Sequence, residues 1–137
     1  MLLFIDASAL KAYYDISDEF HSKATGFMSR VSRREVPVTA FLTTDYVLDE
    51  AITLTRFASS HEKAVELADA AFSSKFTRIA YTDEEAFREA FEFFRRHADK
   101  EWSFTDCVSF TTMKRMNTAQ AFTFDSHFRQ AGFEALP

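Results

Sequence analysis

Leu2-Leu3-Phe4-Ile5-Asp6-Ala7-Ser8, near the start of the chain, is a short apolar run that ends on a carboxylate. Such a run is typical of a strand that is buried on both faces of a parallel sheet. Acidic residues also follow or interrupt apolar stretches at Glu50, Asp106 and Asp125. Because the carboxyl ends of neighbouring strands lie side by side in an open α/β sheet, we expect these four carboxylates to converge on one crevice.

The remaining sequence alternates between strand and helix patterns, which indicates an α/β fold. The patterns predict strands at residues 2–5, 36–41, 76–81 and 119–124. They predict helices at residues 8–14, 19–33, 45–58, 61–72, 84–97 and 104–116, and a short last helix that ends near Gly132. Thr82 or Asp83 is suited to cap the helix that begins at Glu84, and Asn117 is suited to a left-handed conformation after a helix.

Length and composition bound the class of protein. A chain of 137 residues with 17 Phe, two Gly and two Pro predicts one compact domain, residues 1–137, with short loops. The single Cys107 cannot form an internal disulfide, the first residues do not resemble a signal peptide, and no apolar run approaches the ~20 residues of a membrane span. We therefore expect a cytoplasmic protein that does not cross a membrane.

The charge balance and the glycine count exclude several functions. Sixteen basic against 21 acidic residues give a net charge of −5, which argues against coating nucleic acid by bulk charge but does not exclude a nuclease. Gly26 and Gly132 are the only glycines, so the chain has neither a Walker loop nor a glycine-rich dinucleotide turn.

Among the four acids, Glu50 gives the clearest signal because it interrupts an apolar helical stripe that contains Val47, Leu54 and Phe57. Its neighbour Asp49 falls on a polar face and is expected in solvent. Asp6, Asp106 and Asp125 each precede or begin a helix, so each also fits the ordinary role of a helix cap or a first-turn acid. If they crowd together, their repulsion requires protons or a cation, and Mg²⁺ or Mn²⁺ suits such oxygen ligands.

The ordered set of motifs resembles the PIN domain family, and most closely the VapC-type toxins of toxin–antitoxin pairs. The matching segments span nearly the whole chain: LFIDASAL at 3–10, DEFH at 18–21, TTDYVLDE at 43–50, SFTDCVS at 103–109, FTFDSHF at 122–128 and GF at 132–133. One departure from the family is the small number of glycines, but no acidic position is lost.

The resemblance implies a three-layer α/β/α sandwich with a small central parallel sheet. It implies a Mg²⁺- or Mn²⁺-dependent endoribonuclease, the toxin of a type II pair, in which a metal-activated water hydrolyses RNA phosphodiester bonds to leave a 5′-phosphate and a 3′-hydroxyl. It also implies a cognate antitoxin and a homodimer. The residues that match the family's metal-binding and catalytic acids are Asp6, Glu50, Asp106 and Asp125, and those that match its small hydroxyl positions near the metal are Ser8 and Thr105.

Basic and aromatic residues are weaker candidates for contact with substrate. We expect RNA to be positioned by basic side chains near the groove, namely Lys11, Lys114, Arg115 and Arg129. Exposed aromatics could stack on unpaired bases. The helical spacing of Phe87, Phe91 and Phe94 instead predicts that they lie in the core or at a dimer surface.

Competing functions fit the residues less well. A haloacid-dehalogenase-type phosphotransferase needs a second Asp where this chain has Ser8, and a response-regulator receiver needs a pair of acids after the first strand. No Cys/His pair has zinc-ligand spacing, and Cys107 is expected to be a small buried hydrophobic residue. A non-catalytic PIN fold that binds RNA or a protein partner remains open as an alternative to the nuclease.

Overall fold

The computed structural model describes all of residues 1–137 and contains one five-stranded sheet in the order β3-β2-β1-β4-β5. Every neighbouring pair of strands in this sheet is parallel. Its strands are β1 (Leu2–Ile5), β2 (Ala40–Thr44), β3 (Thr77–Ala80), β4 (Gln120–Phe122) and β5 (Glu134–Leu136). The chain moves outward from β1 in one direction to β3, then returns to β4 on the other side of β1. The strand order therefore reverses between β1 and β4, where open α/β sheets form their binding crevices.

Helices cover both faces of the sheet, so the fold is the three-layer α/β/α sandwich that the resemblance implied. Contacts group α1 to α4 of the first two connections together and α5 with α6 of the return connection, as the usual right-handed crossovers would place them. The helices are α1 (Ala7–Tyr14), α2 (His21–Ser32), α3 (Asp45–Ala58), α4 (His61–Ser73), α5 (Glu84–Arg96), α6 (Phe104–Arg115) and α7 (His127–Gln130). None of them is long and apolar enough to cross a membrane.

The core explains why β1 and β4 are held rigidly beside each other. Phe4 in β1 and Phe122 in β4 are fully buried, and each ring packs against a further aromatic ring. The centroid of Phe122 lies 4.6 Å from that of Phe27, and the centroid of Phe4 lies 6.0 Å from that of Phe128. Buried aromatic pairs of this kind stabilise a fold through both apolar area and ring geometry. The strand ends that carry Asp6 and Asp125 thus rest on a well-packed base.

The element predictions are confirmed in type and order, with two differences. The second strand is Ala40–Thr44 and not residues 36–41, because Pro37 has no N–H for a sheet ladder and the Thr43 hydroxyl instead donates to the carbonyl of Ile5 at 3.1 Å. The final strand, Glu134–Leu136, was not predicted, since three residues at a sheet edge carry little periodicity.

Predictions about helix ends are also confirmed. Asp83 caps α5 by accepting a hydrogen bond from the backbone N–H of Ala86 at 2.8 Å. Asn117 and Gly132 have φ angles of 53° and 93°, in the left-handed region that Asn and Gly tolerate best. These local signals agree with the global fold, which is typical of natural sequences.

Candidate active site

A groove of about 480 Å³ opens at the carboxyl ends of β1 and β4, at the reversal of strand order. The structure brings all four predicted acids to its walls although they come from four separate places in the chain. Asp6 follows β1, Glu50 lies in α3, Asp106 lies in the first turn of α6 and Asp125 follows β4. The arrangement is the crevice expected from the sequence.

Asp6 is fixed by a network that joins the ends of β1 and β4. Its Oδ2 accepts hydrogen bonds from the hydroxyls of Ser8 at 2.8 Å and Thr123 at 3.0 Å. The Thr123 oxygen in turn accepts from the backbone N–H of Asp125, and the Ser8 oxygen accepts from that of Phe124, both at 3.0 Å. Both hydroxyl donors therefore reach the same oxygen of Asp6.

Asp106 is held in the same manner by α6 and α7. Ser103 and Asp106 form a capping box, in which the Asp106 Oδ2 accepts the Ser103 backbone N–H at 3.1 Å. The same oxygen lies 2.9 Å from His127 Nδ1. Partial burial alone would lower the pKa of His127, but the hydrogen bond to Asp106 and the charges of Asp125 and Asp106 outweigh it and raise that pKa. The capping role expected for Asp106 and its place in the groove are therefore compatible.

Glu50 has no hydrogen-bond partner that would offset the negative charges of the neighbouring acids. It is partly buried, while Asp49 next to it is exposed, as the helical pattern predicted. Burial, followed by the charges of Asp6, Asp106 and Asp125, raises the pKa of Glu50 to about 7. Burial likewise raises the pKa of Asp6 to about 6, despite the hydrogen bonds it accepts. Without a counter-ion, these carboxylates are therefore partly protonated near neutral pH.

The donor set fits a divalent cation. Ligand atoms of Asp106, Asp125 and His127 lie within 4.8 Å of one another. Carboxylate oxygens favour hard cations such as Mg²⁺ and Mn²⁺, whereas the Nδ1 atom of His127 is already hydrogen-bonded to Asp106 Oδ2. Crowded acids with raised pKa values are the electrostatic condition that such a cation relieves.

The two residues that match the family's small hydroxyl positions, Ser8 and Thr105, differ in their contacts. Ser8 lies where the resemblance implied, next to Asp6, but the Thr105 hydroxyl makes no hydrogen bond to the acids. Thr123, which the sequence analysis did not single out, makes that contact in its place. No periodic pattern marks Thr123, because β4 ends at Phe122 and the contact with Asp6 arises only when the ends of β1 and β4 become neighbours.

Lys11 is the one predicted RNA-binding residue that lines the groove. Its ammonium group already donates to Asp18 Oδ2 at 2.7 Å and to Asp15 Oδ2 at 3.1 Å. A cation that is shared between two carboxylates offers little net positive charge to a phosphate. Lys11 therefore helps to shape the wall formed by α1 and the segment that follows it.

The structure does not bring the other three basic candidates into the groove. Lys114 and Arg115 lie at the carboxyl end of α6, roughly 12 Å along the helix from Asp106. The Lys114 ammonium lies 4.7 Å from the centre of the Phe93 ring, and Arg115 pairs with Glu89 on α5. Arg129 is exposed on α7 but does not line the groove. The length of α6 thus separates Lys114 and Arg115 from the acids, which residue type alone does not reveal.

Cys107 is fully buried, as expected, and burial raises the pKa of its thiol to about 11, with the charge of Asp106 adding to the effect. A thiolate nucleophile is therefore not formed there at neutral pH, because nucleophilic cysteines require a lowered pKa. The thiol alternative finds no support in the structure.

Replacing Thr123 by Val is expected to lower metal affinity about 10- to 100-fold, since it deletes the hydroxyl that holds Asp6 while keeping the side-chain shape. Calorimetric titration with Mn²⁺ measures this change. Thr112→Val is the matched control, because Thr112 lies on α6 outside the groove. An unchanged affinity in folded Thr123→Val protein would contradict a role for the network in holding the acids.

A parallel α/β sheet with four carboxylates grouped at its switch point defines the class of protein, an α/β domain with an acidic site suited to a divalent cation. Within that class, the chain belongs to the PIN domain family, whose model matches residues 3–134. The family resemblance of the sequence motifs is thus confirmed.

The relatives are nucleases. The chain is 30% identical over 132 residues to the 23S rRNA-specific endonuclease VapC20 of Mycobacterium tuberculosis, covering 96% of this chain and 95% of that protein. It is 26% identical over 129 residues to a VapC ribonuclease of Archaeoglobus fulgidus, covering 93% of this chain and 80% of that protein.

Solved structures agree with the fold. The crystal structure of M. tuberculosis VapC20, a toxin that cleaves the sarcin–ricin loop, matches with a TM-score of 0.86 and 28% identity over 97% of this chain and 96% of that chain. FitAcB from Neisseria gonorrhoeae matches with a TM-score of 0.65 at 14% identity, over 100% of this chain and 97% of that chain, which shows the shared fold. The chain is thus homologous to VapC endonucleases.

Proposed function

We propose that residues 1–137 form one nuclease domain, an endoribonuclease that depends on Mg²⁺ or Mn²⁺ and acts as the toxin of a type II toxin–antitoxin pair. The observation that carries this proposal is the convergence of Asp6, Glu50, Asp106 and Asp125 on one groove with raised pKa values at three of them. Homology to VapC endonucleases supports RNA as the substrate and a cognate antitoxin as the partner.

In this proposal, Asp6, Asp106 and Asp125 hold the cation. A bound divalent cation would neutralise charge on the scissile phosphate and lower the pKa of a coordinated water. Ser8 and Thr123 orient Asp6, and Ser103 and His127 orient Asp106, which holds both carboxylates in place at the groove. Preorganised ligands of this kind avoid a reorganisation cost during the reaction.

Glu50 has a different role because none of its oxygens is held by a hydrogen bond. Glu50 would contact the cation directly or orient the attacking water. Attack by the water oxygen on phosphorus breaks the bond to the 3′ oxygen, which leaves a 3′-hydroxyl and a 5′-phosphate. No side-chain nucleophile is required.

The test is cleavage of a mixed cellular RNA pool by purified protein with Mg²⁺, with Mn²⁺ or with chelator, and mapping of the new ends. We expect ends that carry 5′-phosphates, appear only with a cation and are absent with Asp6→Asn. Identical ends from wild type and folded Asp6→Asn protein would overturn the proposal and favour a non-catalytic, partner-binding PIN domain.

We also propose that the protein forms a homodimer through α5. Phe87, Phe91 and Phe94 are not core residues, because their exposed fractions are 42–43%, which removes one of the two predicted placements. An exposed aromatic row along one helix is typical of an interface.

Phe91→Glu is expected to convert the dimer to a monomer of 15.8 kDa, since a charge in a desolvated aromatic contact is unfavourable. Light scattering coupled to size exclusion measures the mass. Phe72→Glu on α4, also exposed, is the matched control. A wild-type protein that is monomeric at all concentrations would contradict the interface.

A further inference from the structure

One end of the acidic groove is aromatic. Phe20 and Phe124 both line it, and their rings stack with centroids 4.7 Å apart and planes within 2° of parallel. Both side chains are only partly buried. The exposed Lys23 places its ammonium 5.8 Å from the centre of the Phe20 ring. The groove therefore joins a cluster of carboxylates to an apolar wall with a nearby cation.

The aromatic wall, formed by Phe20 and Phe124, has a fixed position relative to the acids. The Phe124 backbone N–H donates to the Ser8 hydroxyl at 3.0 Å, and the same hydroxyl donates to Asp6. The Phe20 backbone N–H donates to Asp18 Oδ1 at 2.8 Å, and the other oxygen of Asp18 accepts from Lys11. Hydrogen bonds thus tie both rings to residues that line the groove. A ligand held at the wall would have a defined position relative to Asp6.

We propose that Phe20 and Phe124 form a subsite for an unpaired nucleobase beside the phosphate that is cleaved, with Lys23 contacting a neighbouring phosphate. The inference rests on the proposed endoribonuclease function. It deepens that function by assigning contact with a base to two aromatic residues of the groove.

The chemistry of the groove selects this occupant. A phosphate is repelled by carboxylates wherever no cation lies between them, whereas a nucleobase is neutral and presents an apolar face. The aromatic wall is the part of the groove that a base can occupy without repulsion. Bases in an A-form duplex are stacked on each other, so only a base from a single strand, loop or bulge can reach the wall.

Binding is measured separately from cleavage by placing each variant in the Asp106→Asn background. The probe is a fluorescein-labelled single-stranded octaribonucleotide, with its duplex as a second probe, and the readout is anisotropy in Mg²⁺. We expect Phe20→Leu to weaken single-strand binding about tenfold, because it keeps apolar volume but removes the aromatic face. Phe20→Tyr keeps the ring and is expected to bind like the parent.

Phe72→Leu is the matched control, since Phe72 is an exposed aromatic residue on α4 that does not line the groove. Lys23→Ala is expected to reduce the slope of log affinity against log salt by about 1. In the otherwise wild-type enzyme, Phe20→Leu is expected to raise KM about tenfold and change kcat less than threefold. Thermal unfolding separates a loss of stability from a loss of binding.

The outcomes are distinct. Equal single-strand affinity in Phe20→Leu and parent protein, or preference for the duplex, overturns the subsite even if the wild type cleaves RNA. Binding that depends on Phe20 without cleavage by wild type supports the subsite and overturns the proposed activity. Absence of any single-strand binding overturns the subsite. The occupant of the aromatic wall would then be an apolar side chain of a protein partner.

Discussion

Asp106→Asn is expected to lower the rate of RNA cleavage by about 10³-fold, because it removes one negative charge and one oxygen ligand from the site that holds the cation. Asn keeps the size of Asp and can still accept the Ser103 backbone N–H, so the start of α6 is retained. His127, whose Nδ1 lies 2.9 Å from the carboxylate, loses a charged partner but keeps an oxygen acceptor. The expected result is a folded protein with almost no activity.

The measurement is the single-turnover rate on an RNA that the wild type cleaves, with circular dichroism to verify folding. Ser103→Ala is the matched control, because it deletes the hydroxyl that accepts the Asp106 backbone N–H at 3.0 Å while leaving the carboxylate. Losing this cap costs about 1 kcal/mol of stability. Full activity in folded Asp106→Asn protein would contradict the assignment, and an equal loss in Ser103→Ala would assign the effect to α6.

The sequence alone was sufficient to predict the strand β1 and to place the carboxylate of Asp6 at its end. Leu3, Phe4 and Ile5 are buried as the apolar run predicted, so Asp6 had to emerge at the carboxyl end of a central strand. Glu50 was identified from an apolar stripe that is buried only at Val47, because Leu54 is 42% exposed and Phe57 is 80% exposed. Both inferences depend on periodicity, which is a local property of the chain.

The residues that sequence reasoning missed act over long separations in the chain. Thr123 contacts Asp6 across 117 positions, and His127 contacts Asp106 across 21. Neither pairing has a periodic signal, since each depends on which strand ends and helix starts become neighbours. Lys114 was wrongly expected near the groove for the same reason, because residue type does not reveal which end of α6 faces the acids.

Removing the divalent cation is expected to lower the stability of the protein, and the loss is expected to grow as pH rises. Asp6 and Glu50 have pKa values of about 6 and about 7 in the folded protein, above their ordinary values of 3.8 and 4.5. The folded state therefore binds more protons than the unfolded state between about pH 4 and pH 7. For these two groups, the free energy of unfolding falls as pH rises through that range, because charge forms on carboxylates that are desolvated by burial and that also repel the neighbouring acids.

A cation reverses this trend because it replaces the protons. At a free concentration 100-fold above its Kd, it stabilises the folded state by about 2.7 kcal/mol, which corresponds to a rise in Tm of roughly 10 °C for a domain of this size. Differential scanning fluorimetry with Mn²⁺ and with chelator measures this shift. We expect the full shift at pH 8 and a smaller one at pH 5, where the cation must displace protons from Asp6 and Glu50.

The substitution Glu50→Gln measures how the charge of this one acid affects the stability of the protein. Gln is neutral at every pH, so the variant without cation is expected to unfold at a higher Tm than the wild type at pH 8 and at a similar Tm at pH 5. Asp49→Asn is the matched control, because Asp49 is the exposed neighbour on the same helix, and its Tm should follow that of the wild type. If Glu50→Gln also follows the wild type at pH 8, Glu50 is not destabilised by the other acids. A higher Tm of Glu50→Gln at pH 8 would show that the wild-type site carries its charge at a cost in stability, as functional sites often do.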